Sequence, residues 1–125
     1  MVDSEEQSRL EKIEKLARNK VYLIKNMGLR EISGIINYCS SFIGNDNGLF
    51  HIAVALGIPT ITIFGPENPV EWHPYEHLSI EKHIVISKNL PCVNCGKMFC
   101  ETHDCINSIT VDEVFEKIQI LYKRV

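Results

Sequence analysis

The sequence lacks an excess of positive charge. Its 13 Lys and Arg residues stand against 16 Asp and Glu, which gives a formal net charge of −3 and a pI near 5.9. Nucleic acids and anionic membranes attract basic surfaces, so this balance gives no electrostatic reason to expect either as a partner. We predict that the chain binds no nucleic acid.

Long apolar runs and an export signal are also missing. The longest apolar runs, such as residues 58–64, are far too short to span a bilayer. The N-terminal stretch MVDSEEQSRLEK is acidic and polar, unlike a secretory signal. We therefore expect a cytoplasmic protein whose five cysteines lie in a reducing environment, and the odd number argues against a complete disulfide framework.

What the sequence does contain is an alternation of helix-like and strand-like segments. Apolar residues recur at helical spacing in four places: 4–18, 29–39, 47–56 and 111–121. Short apolar or β-branched runs predict strands between them, at 21–25, 41–44, 58–64 and 83–87. The alternation predicts an α/β fold, a Rossmann-like three-layer parallel sheet with right-handed crossovers, formed by a single domain over 1–125.

The run NDNG at 45–48 separates a predicted strand from a predicted helix, with His51 one turn further on. Ligands gather at the carboxyl ends of parallel strands, and the first N–H groups of a helix favour an anion such as a phosphate. Asp46 could cap the helix or accept hydrogen bonds from ligand hydroxyls, and His51 is near enough to donate to a phosphate oxygen. The same residue types are ordinary turn and capping chemistry, so spacing alone leaves both interpretations open.

The dipeptide Gly65-Pro66 ends the next predicted strand. It would lie beside the same crevice, because parallel strands end at the same edge of a sheet. A plain loop entry is the slightly favoured alternative for these two residues.

Several segments together resemble glycosyltransferase family 9, the ADP-heptose:lipopolysaccharide heptosyltransferases and their relatives. They are LREISGIINYCS, FIGNDNGLFHIAVALGIPTITIFGPENPVEWHP, the cysteine-containing stretch and ITVDEVFEKI, and the resemblance runs from about Val21 to the C-terminus. It implies the GT-B architecture of two Rossmann-like domains facing across a cleft. This chain resembles only the C-terminal, nucleotide-sugar-binding half, and we expect it to be truncated on its N-terminal side.

The resemblance also implies a set of substrate-binding residues. An apolar residue lies against the adenine, a carboxylate holds sugar hydroxyls, and three backbone amides hold the diphosphate with support from a histidine. In this sequence the implied residues are Met27, Asp46, Asn47, Gly48, Leu49, His51, Gly65 and Pro66. Asn47 stands where the family more commonly has Ser or Thr, so a hydroxyl contact to phosphate is lost or altered.

The implied reaction transfers a heptose or similar sugar from an ADP-sugar to a lipopolysaccharide-core acceptor, and its chemistry requires no cofactor. The family's general base and most of its acceptor binding lie in the N-terminal domain, so no catalytic residue is expected here and the chain alone should be inactive. The full-length protein would be peripheral to the inner membrane. A missing first strand would leave an open sheet edge, through which self-association is expected.

The segment 88–109 holds four cysteines, Cys92, Cys95, Cys100 and Cys105, spaced C-x2-C-x4-C-x4-C. This spacing is similar to that of the retroviral nucleocapsid zinc knuckle, although Cys stands where the knuckle has His. Four thiolates can bind one structural zinc tetrahedrally, with His103 as a substitute ligand. Reduced thiols and disulfides are the alternatives.

The cysteine pattern also defines a rival class of function, a small zinc-stabilised binding module without catalytic activity. Between Cys92 and Cys105 one Lys stands against one Glu and one Asp, which does not suit a nucleic-acid surface. Binding of ADP and ADP-sugars discriminates the two classes, because such a module should ignore both.

Overall fold

The computed structural model describes residues 4–18, 20–73, 81–92, 95–97 and 99–124. The chain divides into two compact units, Met1–Ile32 and Ser33–Val125. Because the boundary falls inside a helix, that helix contributes residues to both units.

The first unit contains helix α1, Ser4–Leu16, which is followed by a turn at Ala17 and Arg18. Helix α2, Leu29–Ile36, begins where the Gly28 N–H donates to Glu31 Oε2 at 2.7 Å and so occupies one of the unpaired groups of the first turn. The strand predicted at 21–25 is wrong, since the described residues there adopt no strand. A short apolar run becomes a strand only where a neighbouring strand supplies hydrogen-bonding partners.

The second unit is built on a parallel sheet of three strands in the order β1-β2-β3. The strands are β1, Phe42–Asn45; β2, Thr60–Ile63; and β3, His83–Ile86. The helices that follow α2 are α3, Gly48–Ala55; α4, Pro69–Trp72; α5, Asp104–Asn107; and α6, Val111–Arg124. The predicted alternation is confirmed for these strands and for α3 and α6, whereas the one-turn helices α4 and α5 lie outside the predicted helices.

The two faces of the sheet pack against different elements because successive strand residues point to opposite sides. On one face, Ile61 and Ile86 form a core cluster with Leu121 of α6, and further apolar side chains of β2, β3 and the C-terminal segment surround it. On the other face, Phe64, which directly follows β2, and Phe50, which belongs to α3, both contact the ring of His73. Helices therefore cover both faces of the central strand.

The α3 face of the sheet also buries polar groups. Thr60 Oγ1 and His83 Nδ1 lie 3.0 Å apart on neighbouring strands, and both residues are buried. Burial lowers the pKa of His83, and the nearby His73 and Lys82 lower it further. The paired hydroxyl satisfies one ring nitrogen of a histidine that burial keeps neutral.

Helix α6 starts with a capping box. The Thr110 N–H donates to Glu113 Oε2 at 2.8 Å, and the Glu113 N–H donates back to Thr110 Oγ1 at 3.2 Å. The same carboxylate accepts a hydrogen bond from Lys88 Nζ, in the segment that follows β3. This ion pair ties the end of β3 to the first turn of α6.

Glu113 makes the stability of the fold depend on pH in acid. The hydrogen bond from Lys88, followed by that from the Thr110 N–H, lowers the pKa of Glu113 from 4.5 to about 2. A carboxyl with a depressed folded pKa stabilises the chain above its unfolded pKa, and that stabilisation is lost as the pH falls from 4.5 towards 2. We expect the difference in Tm between wild type and Glu113→Gln to be present at neutral pH and to shrink over this range.

The matched control is Glu116→Gln, an exposed carboxylate nearly one turn further along α6. Its Tm difference from wild type should not follow the same pH course. A wild-type to Glu113→Gln difference that stays constant down to pH 2 would contradict the assignment.

Candidate functional site

The carboxyl ends of β1 and β2 border an open cavity of about 250 Å³. We call it the strand-end cavity; its lining residues are Asn45, Asp46, Ile63, Gly65, Pro66, Glu67 and Ile106. Two carboxylates, those of Asp46 and Glu67, therefore line the same cavity. Its place in the sheet is the one where parallel α/β proteins bind ligands.

Asp46 is held at the rim of this cavity by the sheet itself. Its N–H donates to the Ile63 carbonyl at 3.3 Å, which continues the β1–β2 pairing one residue beyond β1. Its Oδ1 lies 3.8 Å from Nε2 of His51 on α3, and the two side chains are 17% and 35% exposed, respectively. The carboxylate is thus mostly withdrawn from solvent and is positioned by both a strand and a helix.

The N-terminus of α3 is capped by Asn47. Its backbone is extended, with a φ of −161°, and its Oδ1 accepts hydrogen bonds from the N–H groups of Leu49 at 2.9 Å and Phe50 at 3.3 Å. The prediction that the Leu49 amide is open to a ligand therefore differs from the structure, because an Asn at this position reaches the amides two and three residues on.

The amides of Asn47 and Gly48 precede these two in the chain. Among the described residues, none accepts a hydrogen bond from the N–H of Asn47 or Gly48. A Cβ built on Gly48 would meet no described atom within 4 Å, so the space above this turn is open. The helix dipole adds partial positive charge at the same point. This arrangement suits an anion.

Gly65 brings the cysteine-containing segment against the strand-end cavity. A Cβ on Gly65 would lie 3.0 Å from Ile106 Cδ1 and 3.9 Å from Cys105 Sγ. A Cβ at position 65 would therefore require the Ile106 side chain to give by a few tenths of an ångström, whereas glycine permits this close approach without a shift.

The four predicted metal ligands line a second cavity of about 110 Å³, which we call the cysteine cavity. Pro66 and Ile106 belong to its lining as well, so these two residues form a wall shared with the strand-end cavity. Cys92 and Cys95 are exposed and Cys105 is buried, and all are free thiols. Within the described residues, no group of three or more Cys, His, Asp or Glu side chains is arranged as metal ligands, so the zinc site stays a prediction.

The predicted substrate-binding residues fall into two groups. Asp46, Gly65 and Pro66 line the strand-end cavity, and the residues of the α3 N-terminus follow Asp46 directly in the chain. Met27 precedes α2 in the first unit, and its side chain is 45% exposed.

Sequence reasoning missed four lining residues of the strand-end cavity: Asn45, Ile63, Glu67 and Ile106. Glu67 directly follows Gly65-Pro66, and Asn45 directly precedes Asp46, so both could have been found by extending the two motifs by one residue. Ile106 had no such signal, because it comes from α5, about forty residues away from Pro66 in the chain.

Comparison with known proteins finds a family model and relatives that all carry the name heptosyltransferase. The sequence model of glycosyltransferase family 9 (heptosyltransferase) matches residues 2–105. Lipooligosaccharide heptosyltransferase 2 of Campylobacter jejuni subsp. jejuni serotype O:6 is 25% identical over 122 residues, covering 93% of this chain and 38% of that protein. Lipooligosaccharide heptosyltransferase 2 of Haemophilus influenzae is 32% identical over 110 residues, covering 86% of this chain and 31% of that protein. Lipopolysaccharide heptosyltransferase 2 of Escherichia coli is 28% identical over 87 residues, covering 70% of this chain and 24% of that protein.

These matches also define the extent of the likeness. The chain spans less than two-fifths of the length of the curated relatives that it matches. The family match begins at residue 2, well before the predicted start near Val21, and it ends at residue 105, before α6. No solved structure matches the chain. No helix in the described part of the chain combines the length and the apolar character needed to cross a membrane.

The capping role of Asn47 predicts a measurable loss of stability on truncation. Asn47→Ala removes the acceptor of two N–H groups and should lower the free energy of unfolding by about 1 kcal/mol, whereas Asn47→Asp should retain most of it. Urea unfolding of the three proteins measures the difference. Asn89→Ala, at an exposed position outside any helix, is the control. Equal stability of wild type and Asn47→Ala would show that the cap contributes nothing.

Proposed function

Because the chain belongs to glycosyltransferase family 9, the heptosyltransferase family, we propose that it is the donor-binding part of a glycosyltransferase. The donor is an ADP-sugar carrying heptose or a similar sugar, and the acceptor is the inner core of lipopolysaccharide. Support for this substrate class comes from the relatives, which are named lipopolysaccharide and lipooligosaccharide heptosyltransferases.

The observation that carries the proposal is the N-terminus of α3. The N–H groups of Asn47 and Gly48 have no acceptor among the described residues, and the space above Gly48 is open. These donors follow directly on Asp46, which lines the strand-end cavity. A diphosphate needs backbone donors and partial positive charge, and the sugar attached to it needs hydrogen-bond acceptors for its hydroxyls. Asp46 offers the acceptors, and the amides of Asn47 and Gly48 offer the donors, within three consecutive residues.

In this arrangement each group has a distinct role. The Asn47 and Gly48 amides hold the diphosphate, and His51 donates a hydrogen bond to one of its oxygens while its Nε2 lies 3.8 Å from Asp46 Oδ1. Asp46 accepts hydrogen bonds from sugar hydroxyls, and Gly65 and Pro66 form the opposite wall. Leu49 is left out, because its amide is bonded to Asn47. Met27 keeps its proposed role against the adenine on the family resemblance alone.

The proposed reaction is a glycosyl transfer. The bond between the anomeric carbon and the diphosphate oxygen breaks, a new bond forms to an acceptor hydroxyl oxygen, and a general base takes the hydroxyl proton. Backbone donors at the diphosphate stabilise the negative charge that the leaving group gains. We assign the base to a part of the full-length protein outside this chain, so this chain contributes donor binding and leaving-group stabilisation.

The role of Asp46 predicts selective loss of sugar binding. In calorimetric titrations, Asp46→Asn should weaken binding of an ADP-sugar about tenfold or more, because a hydrogen bond to a charged group contributes about 1.5–3 kcal/mol. Binding of ADP itself, which lacks the sugar, should change much less. Glu81→Gln is the matched control, because Glu81 is exposed and precedes β3, at the opposite end of the sheet.

Two results would count against the proposal. Equal losses for ADP and ADP-sugar would remove the sugar-binding role from Asp46. A wild-type chain that binds neither ligand would favour the rival class, a zinc-stabilised module without a substrate of its own.

The open space above Gly48 predicts a second selective effect. Gly48→Ala places a methyl group where the diphosphate is expected and should weaken ADP binding about tenfold or more, by the loss of one charge-assisted hydrogen bond. The fold should tolerate the change, since no described atom lies within 4 Å of the new Cβ.

Gly34→Ala in α2 is the matched control for this experiment. A Cβ there also meets no described atom within 4 Å, so both variants gain a helix-favouring alanine without a clash. Only Gly48→Ala should weaken ADP binding. Similar affinities for the two variants would place the diphosphate elsewhere.

A further inference from the structure

Four of the five cysteines converge in the fold. Cys92, Cys95, Cys100 and Cys105 come from a stretch of fourteen residues and line one small cavity. The fifth, Cys39, follows α2 and donates its S–H to the Ile35 carbonyl at 3.4 Å. Cys39, which does not line the cysteine cavity, therefore serves as an internal control for the four cysteines that do.

The backbone around the four thiols adopts two tight turns. Gly96, directly after Cys95, has a φ of +59°, a conformation that L side chains rarely adopt. His103 also lies in the left-handed region, and its N–H donates to Cys100 Sγ at 3.4 Å. Backbone donors of this kind orient a sulfur ligand from behind, as outer-shell hydrogen bonds do in metal sites. The second turn thus orients the Cys100 sulfur, and the first sets the course of the backbone directly after Cys95.

We propose that these four cysteines bind one zinc ion, and that the bound metal fixes the wall between the cysteine cavity and the strand-end cavity. Four sulfur donors at this spacing suit a tetrahedral, soft-ligand site, for which Zn²⁺ is the common occupant. On binding, each thiol gives its proton to solvent and its sulfur becomes a ligand, so no oxidant is required. The effect of the metal on the wall of the strand-end cavity rests on the proposed function, whereas zinc binding by the four cysteines does not.

Binding requires a modest rearrangement of side chains. Among the described residues no three potential ligands are yet arranged around one point. Cys92 and Cys95 are exposed, so rotation about their Cα–Cβ bonds can bring both sulfurs inward without disturbing the core. Cys105 is already fixed by its buried position beside Gly65.

The shared wall explains how the metal would act on the donor site. The Gly96 N–H donates to the Pro66 carbonyl at 3.1 Å, and Ile106 directly follows Cys105. Pro66 and Ile106 line both cavities. A metal that holds Cys95 and Cys105 in place therefore holds the neighbours of both wall residues. Without it, the contacts of the described residues that hold this wall are the Gly96–Pro66 hydrogen bond and apolar contacts.

The first experiment measures the metal itself. The chain, purified under reducing conditions without added zinc, should contain about one zinc per molecule by elemental analysis. Replacement of the zinc by Co²⁺ should give the absorption bands of tetrahedral thiolate coordination. Cys92→Ser and Cys95→Ser should each weaken zinc binding at least about tenfold. Both thiols are exposed, so neither variant opens a cavity in the core.

The matched control is Cys39→Ser, which should leave the metal content and the Co²⁺ spectrum unchanged. Thiol titration separates zinc from the two alternatives. Zinc predicts that four thiols become reactive only after chelation, whereas disulfides leave them unreactive before and after it. Reaction of more than one thiol, that of the exposed Cys39, before chelation would overturn the proposal, as would a metal content unaffected by Cys92→Ser and Cys95→Ser.

The second experiment measures the coupling between the cavities. Calorimetry with ADP, before and after removal of zinc by a chelator, should show an affinity at least about fivefold lower without the metal, and zinc should restore it. Circular dichroism establishes that the metal-free chain is still folded. An unchanged ADP affinity in the folded, metal-free chain would overturn the coupling. Absence of ADP binding in the zinc-loaded chain would instead contradict the proposed function. The metal content would still show whether the four cysteines bind zinc.

Discussion

The candidate site depends on one backbone hydrogen bond, from the Asp46 N–H to the Ile63 carbonyl. It extends the parallel pairing of β1 and β2 by one residue past the end of β1. The turn into α3 is therefore held against the end of β2, and the residues after β2 lie beside those after β1. The β1–β2 ladder brings both strand ends to one edge of the sheet, and this bond fixes Asp46 there. Asp46 and the Gly65-Pro66 segment thereby line one cavity.

The sequence predicted the parts of the chain where local chemistry and tertiary structure agree. The β-branched run of β2 and the apolar stripe of α6 each have a local signal, and the structure confirms both elements. The run at 21–25 has the same local signal as a strand, but among the described residues it adopts no strand, and pairing cannot be deduced from a single segment. The site shows the same division. Asp46 was singled out by the local motif at 45–48, whereas Ile106 enters the cavity lining through a contact between distant segments.

Two kinds of information support the function, and they differ in reach. The family match and the named relatives give the class of protein, but the chain spans less than two-fifths of those relatives. The geometry gives the placement of donors and carboxylates, and it also corrects one detail that the resemblance implied, the availability of the Leu49 amide. Position 47 of this chain is Asn, whose side chain occupies the Leu49 and Phe50 amides and leaves those of Asn47 and Gly48 without an acceptor among the described residues.

The Asn47 cap makes the ligand-free chain self-sufficient at the point where an anion would bind. Its amide oxygen occupies two donors at the start of α3 and stands beside the two that remain. A phosphate bound there would share the helix end with this side chain and would use the N–H groups that the cap does not occupy. Helix capping and anion binding would therefore divide one small set of backbone donors, so any further capping contact would cost the anion a partner.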